Sequence, residues 1–274
     1  MVSLGCLAAL GCCRPKAAGS LDGVSGPSPV VEPTARMDAE PMDASTSPLP
    51  PIDERTAERE RMVERQMRRR GIENPRVLAA MRCVPRHRFV PVAAQAEAYA
   101  DRPLPIGHGQ TISQPYIVAV MTELAEPEPD DRCLEIGTGS GYQAAVLAEI
   151  CAATYSVEYL PPVAELGEKN LRAAGYGPER VRLRVGDGYA GWPEAAPFDV
   201  IVVTAAPETV PEPLLDQLAV AGRLVIPVGG QAMGQELQRW TRRRAGRDRD
   251  SFEVEELLPV RFVPFLGDGA AGRK

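Results

Sequence analysis

A chain of 274 residues, 44% hydrophobic and 25% charged, is long enough for one substantial globular domain plus a tail. Its formal net charge of −6 excludes a global basic field for nucleic acid, and the arginine clusters at 67–70 and 242–250 read as solvated faces. Only His87 and His108 could supply imidazole, so no metal centre is expected, and no apolar run reaches the ~18 residues of a membrane span.

Residues 1–52 stand apart. MVSLGCLAALGCC is apolar and small, and its ALGC box would make Cys12 the lipidated residue of an exported lipoprotein. No Lys or Arg precedes that run, so a tail without a targeting role accounts for it equally. The Pro-, Ala- and Ser-rich segment that follows buries too little apolar surface to offset its ordering entropy, and reads as a disordered linker. Of the six cysteines, Cys83, Cys133 and Cys151 lie in apolar surroundings without ligand spacing and read as small buried hydrophobes.

The folded part is expected at 53–267, with a flexible tail at 268–274. Residues 53–70 form a helix that Gly71 stops, and Asn74 or Pro75 starts a second helix running to Met81. The proline-bracketed VPRHRFVP follows. Then comes LPIGHGQTISQPYIVAVMTE, a loop short of charge and rich in hydroxyl and amide groups, held against an apolar helix. Ser113 sits where that helix needs an N-cap, with Pro115 in its first positions.

From Arg132 the pattern alternates. RCLEIG, TYSVEY, VRLRVGD, FDVIVVTAA and RLVIPVG read as strands; SGYQAAVLAEI, VAELGEKNLRAAG and PEPLLDQLAVAG read as helices. Continuous apolar strands interleaved with helices imply a parallel sheet covered on both faces. ELQRWTRRR and VEELLPVRFVPFL add an antiparallel hairpin at the end. The fold class is therefore α/β: a Rossmann-like, doubly wound, mostly parallel sheet with a C-terminal antiparallel hairpin.

The chemistry gathers at the strand ends. In LEIGTGSGY, Gly137, Gly139 and Gly141 let the backbone turn tightly and approach a ligand. Glu158 closes the second strand, where a carboxylate can accept both hydroxyls of a ribose. In GDG, Asp187 can accept from an adenine amino group while Gly188 lets the ring pack close, and Thr204 ends the fourth strand. The G-x-G-x-G spacing differs from dinucleotide binders, and no G-K-[ST] serves a triphosphate. Glu135 beside the loop suits a ligand with a cationic aminoacyl end, which points to S-adenosyl-L-methionine and to methyl transfer.

LEIGTGSGY, GDG, PFDVIVVTAAP and GRLVIPVG resemble the successive motifs of class I S-adenosylmethionine-dependent methyltransferases. VPRHRFVP, the GHGQTISQP loop and VRFVPFL resemble one branch, the protein-L-isoaspartate O-methyltransferases, over about residues 54–266. The resemblance implies methylation of the free carboxylate of L-isoaspartyl residues in damaged proteins, by a cytosolic monomer with no nucleic-acid partner. It also implies Ser113 as the active-site serine, and Thr111, Ile112, Ser113, Gly137, Gly139, Ser140, Glu158, Asp187 and Gly188 as donor contacts. Arg261 and Val263 would border a peptide groove, while His108 packs or touches substrate. The competing readings are a methyltransferase for another carboxylate or small molecule, and a non-catalytic S-adenosylmethionine-binding lipoprotein.

A carboxylate substrate has a pKa of about 4 and is already the nucleophile at neutral pH. It needs no general base, only neutral groups to hold it in line. That is the reading of the uncharged GQTIS loop.

Overall fold

The computed structural model describes residues 55–230, 232 and 234–271. The ALGC box, Cys12 and the linker lie outside the described residues.

The N-terminal helical segment opens with α1, Thr56–Met62, then widens to a π turn at Val63–Met67 and tightens to a 3₁₀ turn at Arg68–Arg70, ended by Gly71 at φ +91°. The π turn keeps Val63 and Met67 buried beside Met62. Helix α2, Pro75–Cys83, starts as expected: Asn74 Oδ1 accepts from Arg76 N at 2.9 Å, and proline fills a first-turn position.

The uncharged loop is a small hairpin of β1, Leu104–Gly107, and β2, Gln110–Ile112, turning through Gly107, His108 and Gly109, all at positive φ. Helix α3, Pro115–Ala125, follows. Its N-cap is Gln114, with no side-chain cap bond, so the expected cap by Ser113 is not formed. Proline as the first helical residue leaves one fewer orphan N–H at this helix start.

The main sheet has β3 (Arg132–Ile136), β4 (Ala153–Glu158), β5 (Val181–Val185), β6 (Phe198–Val203), β7 (Leu218–Val228), β8 (Gln235–Arg242) and β9 (Phe252–Val260) in the order β5-β4-β3-β6-β7-β8-β9. The first five are mutually parallel, and β8 and β9 add the antiparallel end. Helices α4 (Tyr142–Ala148) and α5 (Pro161–Ala173) connect β3 to β4 and β4 to β5, and α6 (Glu212–Asp216) precedes β7. Cys133, Val200, Val202 and Val225 share one core with α1 to α4, whereas Leu134, Ile201 and Leu224 pack on the other face with Leu214 of α6 and Phe265. Strands covered on both faces need no polar side, which is why they read as unbroken apolar runs.

Three further expectations change. LAVAG belongs to β7 rather than to a helix, because Gln217 O takes Phe198 N at 2.8 Å and Leu218 pairs with Phe198. A turn with Ala221 at φ +66° then shifts the register before Arg223. Residues 268–271, read as tail, form the helical turn α7, Asp268–Ala271. Most consequentially, Cys133 and Cys151 form a disulfide, with Cα atoms 6.3 Å apart. Cys133 is fully buried as expected, but it is not an inert hydrophobe. Helix α4 returns antiparallel to β3, so Cys151, three residues past its end at Ala148, arrives beside the first residues of the strand.

Candidate active site

Parallel register brings the strand ends to one edge. Ile136 pairs with Val157 on one side and Val203 on the other, so Gly137, Glu158 and Thr204 all emerge together. Chain order reverses here, β4 lying on one side of β3 and β6 on the other, which makes this the crevice where open α/β sheets bind ligands.

The glycines have separate jobs. Gly137 has φ +95°, and a Cβ there would lie 2.4 Å from Thr204 Oγ1, which donates to Gly137 O at 2.6 Å. Gly141, φ +87°, starts α4; a Cβ would press on Leu171 at 2.8 Å and on Gly167 O at 3.0 Å. Both sites demand glycine for packing. At Gly139 a Cβ would meet nothing closer than 3.9 Å, so that residue opens onto the pocket.

One pocket gathers Thr111 and Ile112 from the hairpin, Ser113 just after it, Glu135 to Ser140 from β3 and its loop, Glu158, Gly188 and Thr204. Glu158 is buried; its Oε2 accepts from Gly139 N at 2.9 Å and its Oε1 from Leu160 N at 3.1 Å. It therefore fastens the glycine loop to β4. Ser140 Oγ accepts from Tyr142 N at 3.3 Å in the first turn of α4.

Glu135 is fully buried, and its Oε2 accepts from the Ser156 hydroxyl, which is itself 2.6 Å from Thr138 Oγ1. Its other oxygen, Oε1, has no partner. Burial pushes the carboxyl up to about 8; the Ser156 hydroxyl and the Ala144 N–H oppose that, and the nearby Glu158 reinforces it. An orphaned acceptor in the pocket wall fits a cationic amino group.

Not every expected residue reaches the wall. Asp187 lies next to it: Oδ1 accepts from Tyr189 N at 2.9 Å and Oδ2 from Gly269 N at 3.2 Å. Of the groove candidates, Val263 lines the pocket, whereas Arg261 is exposed and does not. His108 is exposed on the hairpin turn and also outside the lining.

Several wall residues escaped the sequence reading. Tyr159 and Leu160 follow Glu158, and Phe265 and Leu266 return from beyond β9. The first pair adjoins a residue already singled out, and so had a local signal. The second pair is delivered by a parallel bridge between Ala206 and Pro264, for which no local pattern exists. Phe265 stacks on Tyr189 with centroids 4.2 Å apart.

Residues 57–270 match the family model described as protein-L-isoaspartate(D-aspartate) O-methyltransferase. The chain is 58% identical over 211 residues to the protein-L-isoaspartate O-methyltransferase of Opitutus terrae, covering 77% of this chain and 88% of that one. It is 57% identical over 203 residues to that of Gloeobacter violaceus, covering 74% and 96%. A solved protein-L-isoaspartate O-methyltransferase superposes with TM-score 0.68 at 29% identity, over 77% of this chain and 66% of that one. The Plasmodium falciparum protein crystallised under the same family description, in complex with S-adenosyl-L-homocysteine, superposes with TM-score 0.65 over 76% and 98%. At 24% identity that likeness speaks to the fold alone. With the family model spanning residues 57–270, this chain belongs to the protein-L-isoaspartate(D-aspartate) O-methyltransferase family.

Proposed function

We infer that the chain transfers a methyl group from S-adenosyl-L-methionine to the free carboxylate of L-isoaspartyl residues in damaged proteins, starting their repair. The observation that carries the reading is one pocket lined both by the glycine loop with Glu135 and by the uncharged Thr111–Ser113 segment. Bound there, S-adenosylmethionine supplies an electrophilic methyl on a sulfonium. Glu158 would accept the ribose hydroxyls, Glu135 the ammonium, and Gly139, Ser140 and Gly188 the close approach of the nucleoside. Asp187 would serve the adenine amino group from beside the pocket.

Gln110, Thr111, Ser113 and the first free N–H groups of α3 would hold the acceptor carboxylate. No proton has to move for it to attack, since its pKa is about 4. Orientation is the main service, and can contribute up to about 7–11 kcal/mol in well-aligned cases. The test is a base-labile methyl ester assay on an isoaspartyl peptide and its aspartyl twin. Ester on the isoaspartyl peptide alone is expected; equal labelling of both, or of neither, overturns the reading. The same domain, residues 53–267, would act as a monomer without nucleic acid.

Glu135 adds a pH dependence. A carboxyl that keeps its proton to about pH 8 must release it to pair with an ammonium. Affinity for S-adenosylhomocysteine is therefore expected to rise between about pH 6 and 8, by at most about tenfold per unit, and Glu135→Gln should flatten the slope. Calorimetry in two buffers of different ionisation enthalpy reads the proton release. For the unliganded chain the sign is opposite. The native state holds a proton that the unfolded state loses near its ordinary 4.5, so stability falls from about pH 4.5 to 8.

The compartment has two readings. Family resemblance leads to the cytoplasm. The Cys133–Cys151 disulfide favours an oxidising compartment, in keeping with export and a lipid on Cys12. Among the described residues no helix is long and apolar enough to cross a membrane. Alkylation of protein from its native host, with and without reductant, followed by peptide mass spectrometry, separates the two. Export predicts that peptides carrying Cys133 and Cys151 alkylate only after reduction, and that the native N-terminus is an acylated Cys12.

A further inference from the structure

Arg86, in the VPRHRFVP connection, is fully buried. Its Nε donates to Ala98 O at 2.8 Å and its Nη2 to Ser113 O at 2.7 Å. Nη1 is buried with no hydrogen-bond partner, and among the described residues no carboxylate is in direct ion-pair contact with this guanidinium; the Tyr142 and Tyr99 side chains and, least, Asp101 offset part of the cost of burying it. Its central carbon lies 4.9 Å from the centroid of the Tyr142 ring. Ser113 and Tyr142 both line the pocket, so the cation stands one layer behind two of its walls. Burial lowers its pKa only to about 10, which leaves it charged at neutral pH.

A buried charge with no carboxylate in direct contact is costly. The acceptor segment facing the pocket, Gln110 to Ser113, carries no charge of its own. An anionic substrate arriving there gains most from a cation that is close yet cannot form a direct, rigid pair that would quench its nucleophilicity.

We propose that Arg86 is a positioning residue with two effects: it fixes the Ser113 backbone, and it supplies the positive potential that selects an ionised carboxylate at the acceptor side of the pocket. The proposal rests on the methyltransferase reading above and deepens it by assigning the source of substrate charge selectivity. Arg86 acts through Ser113 and the Tyr142 ring, and takes no direct part in the transfer.

The experiment compares an isoaspartyl peptide with its neutral analogue, in which a carboxamide replaces the free carboxylate, as competing ligands of the full chain. Arg86→Met should weaken binding of the charged peptide by about tenfold, while the neutral analogue and S-adenosylhomocysteine change by less than about threefold. Arg86→Lys keeps the charge but cannot bridge Ala98 O and Ser113 O together. It should preserve the charged-to-neutral ratio while kcat falls by about tenfold. A ratio unchanged in Arg86→Met, or lost in Arg86→Lys, overturns the proposal, and so does an equal loss for both peptides with donor-product binding intact. If Arg86→Met does not fold, the lysine variant alone decides. Failure of the methyltransferase reading looks different: the unmodified chain itself would then yield no ester on the isoaspartyl peptide.

Discussion

Replacing Glu158 with alanine is expected to weaken binding of S-adenosylhomocysteine by about 10²- to 10³-fold, with the Michaelis constant for an isoaspartyl peptide at saturating donor changed by less than about threefold. The size follows from two duties of one carboxylate. It accepts backbone N–H groups from Gly139 at 2.9 Å and from Leu160 at 3.1 Å, and so holds the glycine loop against the end of β4. Hydrogen bonds to a charged acceptor contribute about 1.5–3 kcal/mol each. An ionised carboxylate offers about four acceptor directions, so two remain for the ribose hydroxyls. Alanine removes all of them and leaves the loop without its anchor. Glu158→Gln should fall between, because its single carbonyl oxygen serves one N–H while its amide faces the other donor to donor. Titration calorimetry gives the donor-product affinity, and steady-state kinetics the peptide constant. Unchanged donor-product affinity in the alanine variant would remove Glu158 from the site; equal loss of peptide affinity would mean that the whole pocket had collapsed.

What the sequence disclosed and what it hid divide along a physical line. Gly137, Gly139 and Gly141 were legible because a tight turn at a strand end is a local backbone requirement. Glu158 and Thr204 were legible because unbroken apolar strands announce a parallel sheet, and parallel register then brings their ends together. The Cys133–Cys151 bond was not legible, because two cysteines 18 residues apart touch only once α4 has folded back along β3. LAVAG has the composition of a helix, and pairing of Phe198 with Leu218 overrides it. The same holds for Phe265 and for Arg86: their neighbours in space are remote in the chain, and nothing in their local spacing gives those neighbours away. Ser113 is the mixed case. Its position before Pro115 suggested a cap, its place in GQTIS suggested the reaction, and the N-cap at Gln114 takes away the first of these duties alone.

That separation makes Ser113→Ala the sharper of the two large tests. Helix α3 takes Gln114 as its N-cap without any side-chain bond, so the Ser113 hydroxyl supports no helix terminus. Its loss should change stability by no more than about 0.5 kcal/mol, as for an ordinary partly exposed substitution. The backbone of Ser113 is held independently, its carbonyl accepting from Arg86 Nη2 at 2.7 Å, and alanine leaves that bond in place. What disappears is a neutral donor in the wall of the pocket, where the proposed substrate carboxylate would lie. A hydrogen bond to a charged group contributes about 1.5–3 kcal/mol, so turnover per folded molecule should drop by roughly 10- to 10²-fold. Donor-product affinity should hold within about threefold if the hydroxyl serves the acceptor rather than the donor. Ser113→Thr keeps the donor and should recover much of the rate. Thermal denaturation and single-turnover methyl transfer on the same samples separate the outcomes. A fall in melting temperature with unaltered turnover would return Ser113 to a structural role and pass the carboxylate to the free N–H groups at the start of α3. A fall in turnover with unaltered melting temperature leaves the hydroxyl where the charge-poor loop has it, as the group that keeps an already ionised acid in line.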